Sequence, residues 1–174
     1  LIGLGSIGEE IAKRCKLLGM RVLATRKNPI GNPWVDEIYP PSEMETLLKQ
    51  SDFVVVVMPF TSNTTRYIEK KEFRMMKKSA YFINLSRGGV IDEDALIIAL
   101  QEGVIAGAAL DVFTVEPLPQ NSPLWEMPNV IISPHMSADS PYYMDRAIQG
   151  FCHNLQRFVN GETLLNEVNR ETGY

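Results

Sequence analysis

The chain has 174 residues, of which 45% are hydrophobic, and a formal net charge of −4. This length and composition suit one globular domain with a substantial core, and the acidic balance excludes a basic surface for nucleic acid. The longest apolar run, residues 53–58, is far too short to span a bilayer, so we expect no membrane partner. The two cysteines and two histidines show no ligand spacing. They predict reduced core thiols, a cytoplasmic protein and no metal site.

Short apolar runs alternate with amphipathic stretches along the chain. Leu1 and Ile2 are typical of a strand end, and the later predicted strands are Arg21–Thr25, Phe53–Met58, Ala80–Leu85, Ala106–Val112 and Val130–Ser133. The predicted helices between them are Ser6–Leu18, Pro41–Gln50, Glu69–Met76 and Asp92–Glu102. The strands show little apolar–polar alternation, as expected for strands buried on both faces. The pattern predicts an α/β, Rossmann-type fold, a doubly wound parallel sheet with helices on both faces.

A glycine-rich loop follows the first strand end and opens the first helix. Its pattern is Gly3-x-Gly5-x-x-Gly8, at the head of a β-α-β unit, which is the context that makes this motif a dinucleotide site. The first glycine permits a tight turn, the second lets the backbone approach a pyrophosphate, and the third allows close packing. Ser6 and Ile7 begin the helix whose N–H groups are offered to the phosphates.

The end of the second predicted strand reads Thr25-Arg26-Lys27 and lacks an acidic residue. NAD sites usually place Asp or Glu here to accept hydrogen bonds from the adenosine ribose. A guanidinium at this position can instead bind a 2′-phosphate through two hydrogen bonds, with the lysine and the threonine hydroxyl nearby. We expect a preference for NADP(H). The alternative is two solvated basic residues at a strand end, with NAD bound as well.

Three further segments place polar residues where predicted strands end. The segment "FINLSRGG" carries Arg87, "GAALDVFTVEP" carries Asp111 and Glu116, and "NVIISPH" carries His135. Ligands of open α/β sheets bind at the carboxyl ends of the strands. An arginine, a carboxylate and a histidine that meet at this edge are suited to anion binding and acid–base chemistry.

From about residue 138 the pattern becomes that of one long helix. Its apolar positions are Ala147, Ile148, Phe151, Leu155 and Phe158. Such a stripe is typical of a helix that packs on the body of its domain, and we assign it no functional role. We therefore interpret residues 1–174 as one dinucleotide-binding domain with a C-terminal helical segment.

Taken together, the motifs resemble those of a known family. The glycine loop, "MPFTSNT", "INLSRGGVIDEDAL", "GAALDVFTVEPLP" and "NVIISPH" are similar, in the same order, to segments of the D-isomer-specific 2-hydroxyacid dehydrogenases, of the glyoxylate/hydroxypyruvate reductase type. The resemblance covers essentially the whole chain. It implies an oxidoreductase that transfers a hydride between NADP(H), or NAD(H), and a small 2-hydroxy or 2-oxo acid.

The resemblance also implies roles for individual residues. Arg87 is expected to bind the substrate carboxylate, and His135 to act as general acid and base with an ordinary pKa of about 6.5. Glu116 is expected to hydrogen-bond the imidazole, and Asp111 to contact the nicotinamide side of the cofactor. The other cofactor contacts implied are Pro59, Thr64, Leu85 and Ser86.

In this family a second, substrate-side domain surrounds the cofactor domain. We therefore expect Leu1 to be a cut edge, with the N-terminal part of the substrate domain absent from this chain. Such a chain is expected to bind cofactor with little turnover, because an open cleft leaves water around the reacting groups. The resemblance also implies a homodimer. The alternative from another functional class is a cofactor-sensing scaffold, similar to the dehydrogenase-derived transcriptional corepressors.

Overall fold

The structure, a computed structural model, describes residues 1–170, and its elements follow the predicted alternation. In chain order they are α1 (Ser6–Leu17), β1 (Leu23–Thr25), β2 (Glu37–Tyr39), α2 (Met44–Gln50), β3 (Phe53–Val56), α3 (Lys70–Met75), β4 (Tyr81–Asn84), α4 (Glu93–Gln101), β5 (Gly107–Leu110), β6 (Val130–Ile132) and α5 (Tyr143–Val159). Single 3₁₀ turns lie at Pro41–Glu43, Gly88–Val90 and Pro123–Glu126.

The strands form a parallel sheet that is continuous through the first residues of the chain. β1 pairs with β2, and β3 through β6 pair in chain order. Ile2 bridges the two groups: its N–H donates to the Val55 carbonyl at 2.8 Å, and the Thr25 N–H donates to the Leu1 carbonyl at 2.9 Å. The strand order therefore reverses at Ile2, which makes this the topological switch point where such sheets bind ligands.

Different helices cover the two faces of the sheet. Alternate residues of β3 point to opposite faces: Val54 and Val56 join a core cluster with residues of α2, α3 and α4. Val55 packs against a second cluster, which contains Ala12 of α1. Within the larger cluster Phe73 and Phe82 pack edge to face, with ring centroids 5.2 Å apart. The predicted doubly wound α/β fold is confirmed.

Two predicted elements differ from the structure in their bounds, and one strand was not predicted. β1 begins at Leu23 rather than Arg21, because the Val22 N–H donates to the Asp36 side chain at 2.8 Å instead of continuing a strand ladder. The edge strand β2 was not predicted, because it has only three residues and none of them is buried. The predicted helix Pro41–Gln50 begins with a 3₁₀ turn before α2.

The chain divides into two compact units, Leu1–Pro134 and His135–Tyr174, and the second contains α5. No residue of α5 is buried, and its apolar positions Phe151 and Phe158 are 67% and 70% exposed. The prediction that this stripe is core is therefore wrong for this chain, and so is the prediction that Cys152 is a core thiol, because it is exposed. Within residues 1–170, no helix is both long and apolar enough to cross a bilayer.

Candidate active site

The glycine loop forms an open cradle at the start of α1. Gly3 has a φ of +101°, which L side chains rarely adopt, and an added Cβ would lie 3.0 Å from the Met58 backbone. A Cβ at Gly8 would lie 2.5 Å from the Gly3 carbonyl oxygen. Gly5 is the N-cap of α1 and offers no side chain to the first N–H groups, and a Cβ there would meet nothing within 4 Å. Uncapped N–H groups beside open space fit the pyrophosphate of a dinucleotide.

The residues at the end of β1 differ in their surroundings. Thr25 is buried, and its hydroxyl accepts a hydrogen bond from the Gly3 N–H at 3.3 Å, so it holds the glycine loop. Arg26 and Lys27 are not buried. The Arg26 Nη1 lies 3.5 Å from Oε1 of Glu9, a residue in the first turn of α1. Glu9 was not predicted as a site residue, although its place directly after the third glycine was the available signal.

The side chain of Thr64 hydrogen-bonds to the backbone of the loop that follows β3. The Thr64 hydroxyl donates to the Pro59 carbonyl at 2.7 Å and accepts from the Thr61 N–H at 2.7 Å. These two bonds fix the backbone at the carboxyl end of β3. Thr64 is therefore placed to support this loop, while Pro59 is exposed on it.

The turn that carries Arg87 is built around a buried amide. The Asn84 side chain is fully buried, accepts from the Ser86 N–H at 3.0 Å and donates to the Arg87 carbonyl at 3.2 Å. The Leu85 N–H continues the ladder to the Val56 carbonyl at 3.2 Å. The exposed Arg87 guanidinium donates to the Ser86 carbonyl at 2.6 Å. Asn84 was missed as a supporting residue, although an amide at the end of an apolar strand signals a buried hydrogen-bonding role.

The loop after β5 lies directly against this turn. A Cβ on Gly88 would lie 1.9 Å from the carbonyl carbon of Phe113, so no side chain fits between the two segments. Glu116 is exposed, and its Oε1 accepts from the Phe113 N–H at 3.0 Å. The Thr114 N–H donates to the Glu93 carboxylate at 2.8 Å. The structure thus brings the Arg87 turn and the loop that carries Glu116 together.

Asp111 and His135 complete the predicted set. Asp111 is buried, and its Oδ1 accepts a hydrogen bond from the Ser133 hydroxyl at 2.6 Å, which ties the end of β5 to the residue after β6. His135 is exposed and is the first residue of the second unit. Its φ of +54° lies in the left-handed region, which is uncommon for a residue with a side chain and recurs at functional sites.

Charged side chains outside this site mostly form exposed ion pairs. Arg14 lowers the pKa of the Glu10 carboxyl through a hydrogen bond, and Lys16 does the same for Asp36. Where Leu1 is the first residue, its amino group donates to the Leu23 carbonyl at 2.6 Å, and burial lowers the pKa of that group from 8.0 to about 5. Within residues 1–170, no group of three His, Cys, Asp or Glu side chains is arranged to hold a metal ion.

Comparison with known proteins identifies the family. Residues 1–137 match the family model described as D-isomer specific 2-hydroxyacid dehydrogenase, NAD binding domain. The chain belongs to this family. The resemblance inferred from the motifs is therefore confirmed, and the glycine loop is that of an NAD-binding domain.

Curated relatives in this dehydrogenase family are named glyoxylate reductases. The chain is 42% identical to the glyoxylate reductase of Pyrococcus horikoshii over 174 residues, covering 98% of this chain and 51% of the relative. It is 40% identical to that of Korarchaeum cryptofilum, covering 98% of this chain and 52% of the relative. The chain therefore spans about half the length of these relatives.

Solved structures of the dehydrogenase family share the fold closely. A D-isomer specific 2-hydroxyacid dehydrogenase from Xanthobacter autotrophicus, in complex with NADPH, superposes with a TM-score of 0.94 at 36% identity, covering 99% of this chain and 71% of that one. An NADPH-dependent glyoxylate/hydroxypyruvate reductase from Sinorhizobium meliloti, in complex with NADP, gives 0.93 at 30% identity, covering 99% and 55%.

Proposed function

We propose that this chain is the cofactor domain of an enzyme that transfers a hydride between NADP(H) and a small 2-oxo or 2-hydroxy acid. The observation that carries the proposal is the open glycine cradle beside Arg26, at a strand end without an acidic residue. A guanidinium there is complementary to the 2′-phosphate that distinguishes NADP(H) from NAD(H). The glyoxylate reductase relatives support a 2-oxo acid as substrate.

In this proposal the side chains at the carboxyl edge of the sheet have separate roles in the reaction. The bound cofactor supplies or accepts the hydride. Arg87 binds the substrate carboxylate with its planar fork, after it exchanges its bond to the Ser86 carbonyl for the ligand. His135 gives a proton to the carbonyl oxygen during reduction and takes it back during oxidation. Glu116 hydrogen-bonds the imidazole and fixes its tautomer.

The remaining candidate residues hold the cofactor or support the residues that do. We propose that Asp111, oriented by its bond from Ser133, faces the nicotinamide side of the cofactor. The backbone of the loop after β3 and of the Arg87 turn lines the nicotinamide ribose, through Pro59, Thr64, Leu85 and Ser86. At the other end the phosphates contact the glycine loop, through Gly3, Gly5, Ser6, Ile7 and Gly8, and the ribose end contacts Thr25, Arg26 and Lys27.

The proposal places the enzyme in the cytoplasm as a homodimer, with no nucleic acid or membrane as partner. The net charge of −4 supports the absence of a nucleic-acid partner, and the dimer is what the family resemblance implies. Sedimentation of the chain at several concentrations tests the dimer.

Parallel titrations with NADPH and NADH test the cofactor assignment. By calorimetry, Arg26→Asp is expected to weaken NADPH binding by about 10- to 100-fold, because a charge-assisted pair is lost and a repulsive charge is added. NADH binding should change much less. Arg74→Asp, on the exposed side of α3, makes the same charge change away from the site and serves as control. Equal NADPH affinity in Arg26→Asp and the parent chain would contradict the assignment.

Turnover requires a separate experiment on this chain joined to a substrate-side portion. NADPH oxidation with glyoxylate, hydroxypyruvate or pyruvate is the expected result, whereas the isolated chain should bind cofactor without comparable turnover. Absence of turnover with every keto acid, together with cofactor-dependent association, would favour the scaffold function instead.

A further inference from the structure

The cofactor end of the site contains a carboxylate that the strand itself lacks. Glu9 lies in the first turn of α1, directly after the last glycine of the loop, and its Oε1 is 3.5 Å from Arg26 Nη1. The two side chains are 41% and 36% exposed, so both are accessible to a ligand at this end. The acidic side chain near the end of β1 thus belongs to α1 and not to the strand.

The other acids near β1 have partners of their own. Asp36 pairs with Lys16, and Glu37 pairs with Arg21. Glu10, the neighbour of Glu9, pairs with Arg14 one turn along the helix. Among the ion pairs found within residues 1–170, Glu9 is the acid that pairs with Arg26.

We propose that Glu9 is a specificity-determining residue that lets one site accept NAD(H) as well as NADP(H). This inference rests on the proposed function. With NAD(H), the Glu9 carboxylate accepts a hydrogen bond from the ribose 2′-hydroxyl, the bond that an acid at the strand end makes in other dinucleotide folds. With NADP(H), the 2′-phosphate displaces the carboxylate from Arg26 and pairs with the guanidinium.

The ion pair suits such an exchange because it is weak. An exposed pair at this separation contributes little to stability, so either partner can leave it at small cost. The carboxylate nevertheless repels a phosphate placed on the same guanidinium. Glu9 therefore acts on the two cofactors with opposite sign: it favours the hydroxyl and opposes the phosphate.

The test uses the 174-residue chain and two probes, NADPH and NADH, which differ only at the 2′ position. Glu9→Ala is expected to bind NADPH several-fold more tightly and NADH several-fold more weakly, a change in preference of about tenfold or more. Glu9→Gln keeps a hydrogen-bond acceptor without the charge, so it should gain NADPH affinity and lose less NADH affinity. Glu10→Ala, one residue along the helix, removes the same charge and should leave the preference unchanged.

The possible results distinguish failure of the Glu9 inference from failure of the proposed dinucleotide site. If both cofactors bind the parent chain but Glu9→Ala changes the two affinities in the same direction, or no more than Glu10→Ala does, the role of Glu9 is overturned and the dinucleotide site remains. If neither cofactor binds the parent chain, both the proposed site and the inference fail. Opposite changes in the two affinities support the inference.

Discussion

The Arg87 turn and the Arg26 end of the candidate site are built in opposite ways. At the Arg87 turn, Asn84 is fully buried with two hydrogen bonds to backbone, and Gly88 leaves no room for a Cβ. At the Arg26 end, a Cβ at Gly5 would meet nothing within 4 Å, and the ion pair to Glu9 is exposed. One region is packed and fully hydrogen-bonded, and the other is open.

The difference shows how one sheet edge can combine fixed and adaptable geometry. Buried hydrogen bonds are costly to leave unmade, so the backbone around Arg87 has one favoured conformation before any ligand arrives. An exposed ion pair is worth about 0–1 kcal/mol, so the side chains around Arg26 can rearrange for different ligands. Substitutions at the first region should therefore change stability, and substitutions at the second should change selectivity.

Two glycine substitutions test this contrast most strongly. Gly88→Ala would place a Cβ 1.9 Å from the Phe113 carbonyl carbon and 2.3 Å from the Thr114 nitrogen, both backbone atoms. We expect a loss of about 5 kcal/mol in the free energy of unfolding, measured by urea denaturation. Gly5→Ala, with open space and a φ of −96°, should cost no more than about 1 kcal/mol, the usual disadvantage of Ala at an N-cap, while weakening cofactor binding. If the two variants were equally stable, the two regions would not differ in packing as the structure indicates.

The Leu1 amino group, buried beside the Leu23 carbonyl at the start of the same sheet, gives a pH test. In a chain whose first residue is Leu1 with a free amino group, burial lowers the pKa of that group from 8.0 to about 5. Between these values the unfolded chain binds the proton and the folded chain does not, so the free energy of unfolding falls as pH drops. The loss is about 4 kcal/mol at most, complete near pH 5 and absent above pH 8.

An acetylated amino terminus provides the control for this pH dependence. Acetylation removes the titrating group and leaves every other ionisable side chain in place. We expect thermal unfolding of the free-amine chain to show the steeper pH dependence between 5 and 8. Identical slopes in the two chains would mean that the Leu1 amino group is not buried as the structure places it.

Much of the fold was predictable because its signals are local. Apolar runs without alternation identified β3, β4, β5 and β6 to within two residues at each end, because each strand is a short run of mostly apolar residues. The burial on both faces that such runs suggest holds best for β5, whereas Phe53, Tyr81 and Ile131 are exposed. β2 was not predictable, because a three-residue, half-buried edge strand has no apolar run and forms by pairing with β1. The apolar stripe of α5 was recognised, but a stripe shows that residues suit burial and does not identify what buries them.

The candidate site was predictable at the level of motifs and not at the level of supporting contacts. The glycine loop and Arg87 stand in segments with strong patterns. Asn84 and Glu9 depend on where distant segments meet in space, which periodicity and spacing do not encode. The hydrogen bond that the buried Thr25 hydroxyl accepts from the Gly3 N–H likewise joins two segments that are distant in sequence.

Asn84→Ala tests whether the buried amide is what fixes the Arg87 turn. The substitution leaves the Ser86 N–H and the Arg87 carbonyl without their side-chain partner, and should cost about 2–3 kcal/mol of unfolding free energy. Asn129→Ala is the matched control, because that amide also bonds a backbone carbonyl, of Ala106, at the opposite edge of the sheet. Hydrogen exchange should speed up at the Ser86 amide in Asn84→Ala and not in Asn129→Ala. If both variants lost the same stability and the Ser86 amide stayed protected in each, the turn would be held by its backbone alone, and the rigidity of this region would have to come from the close approach at Gly88.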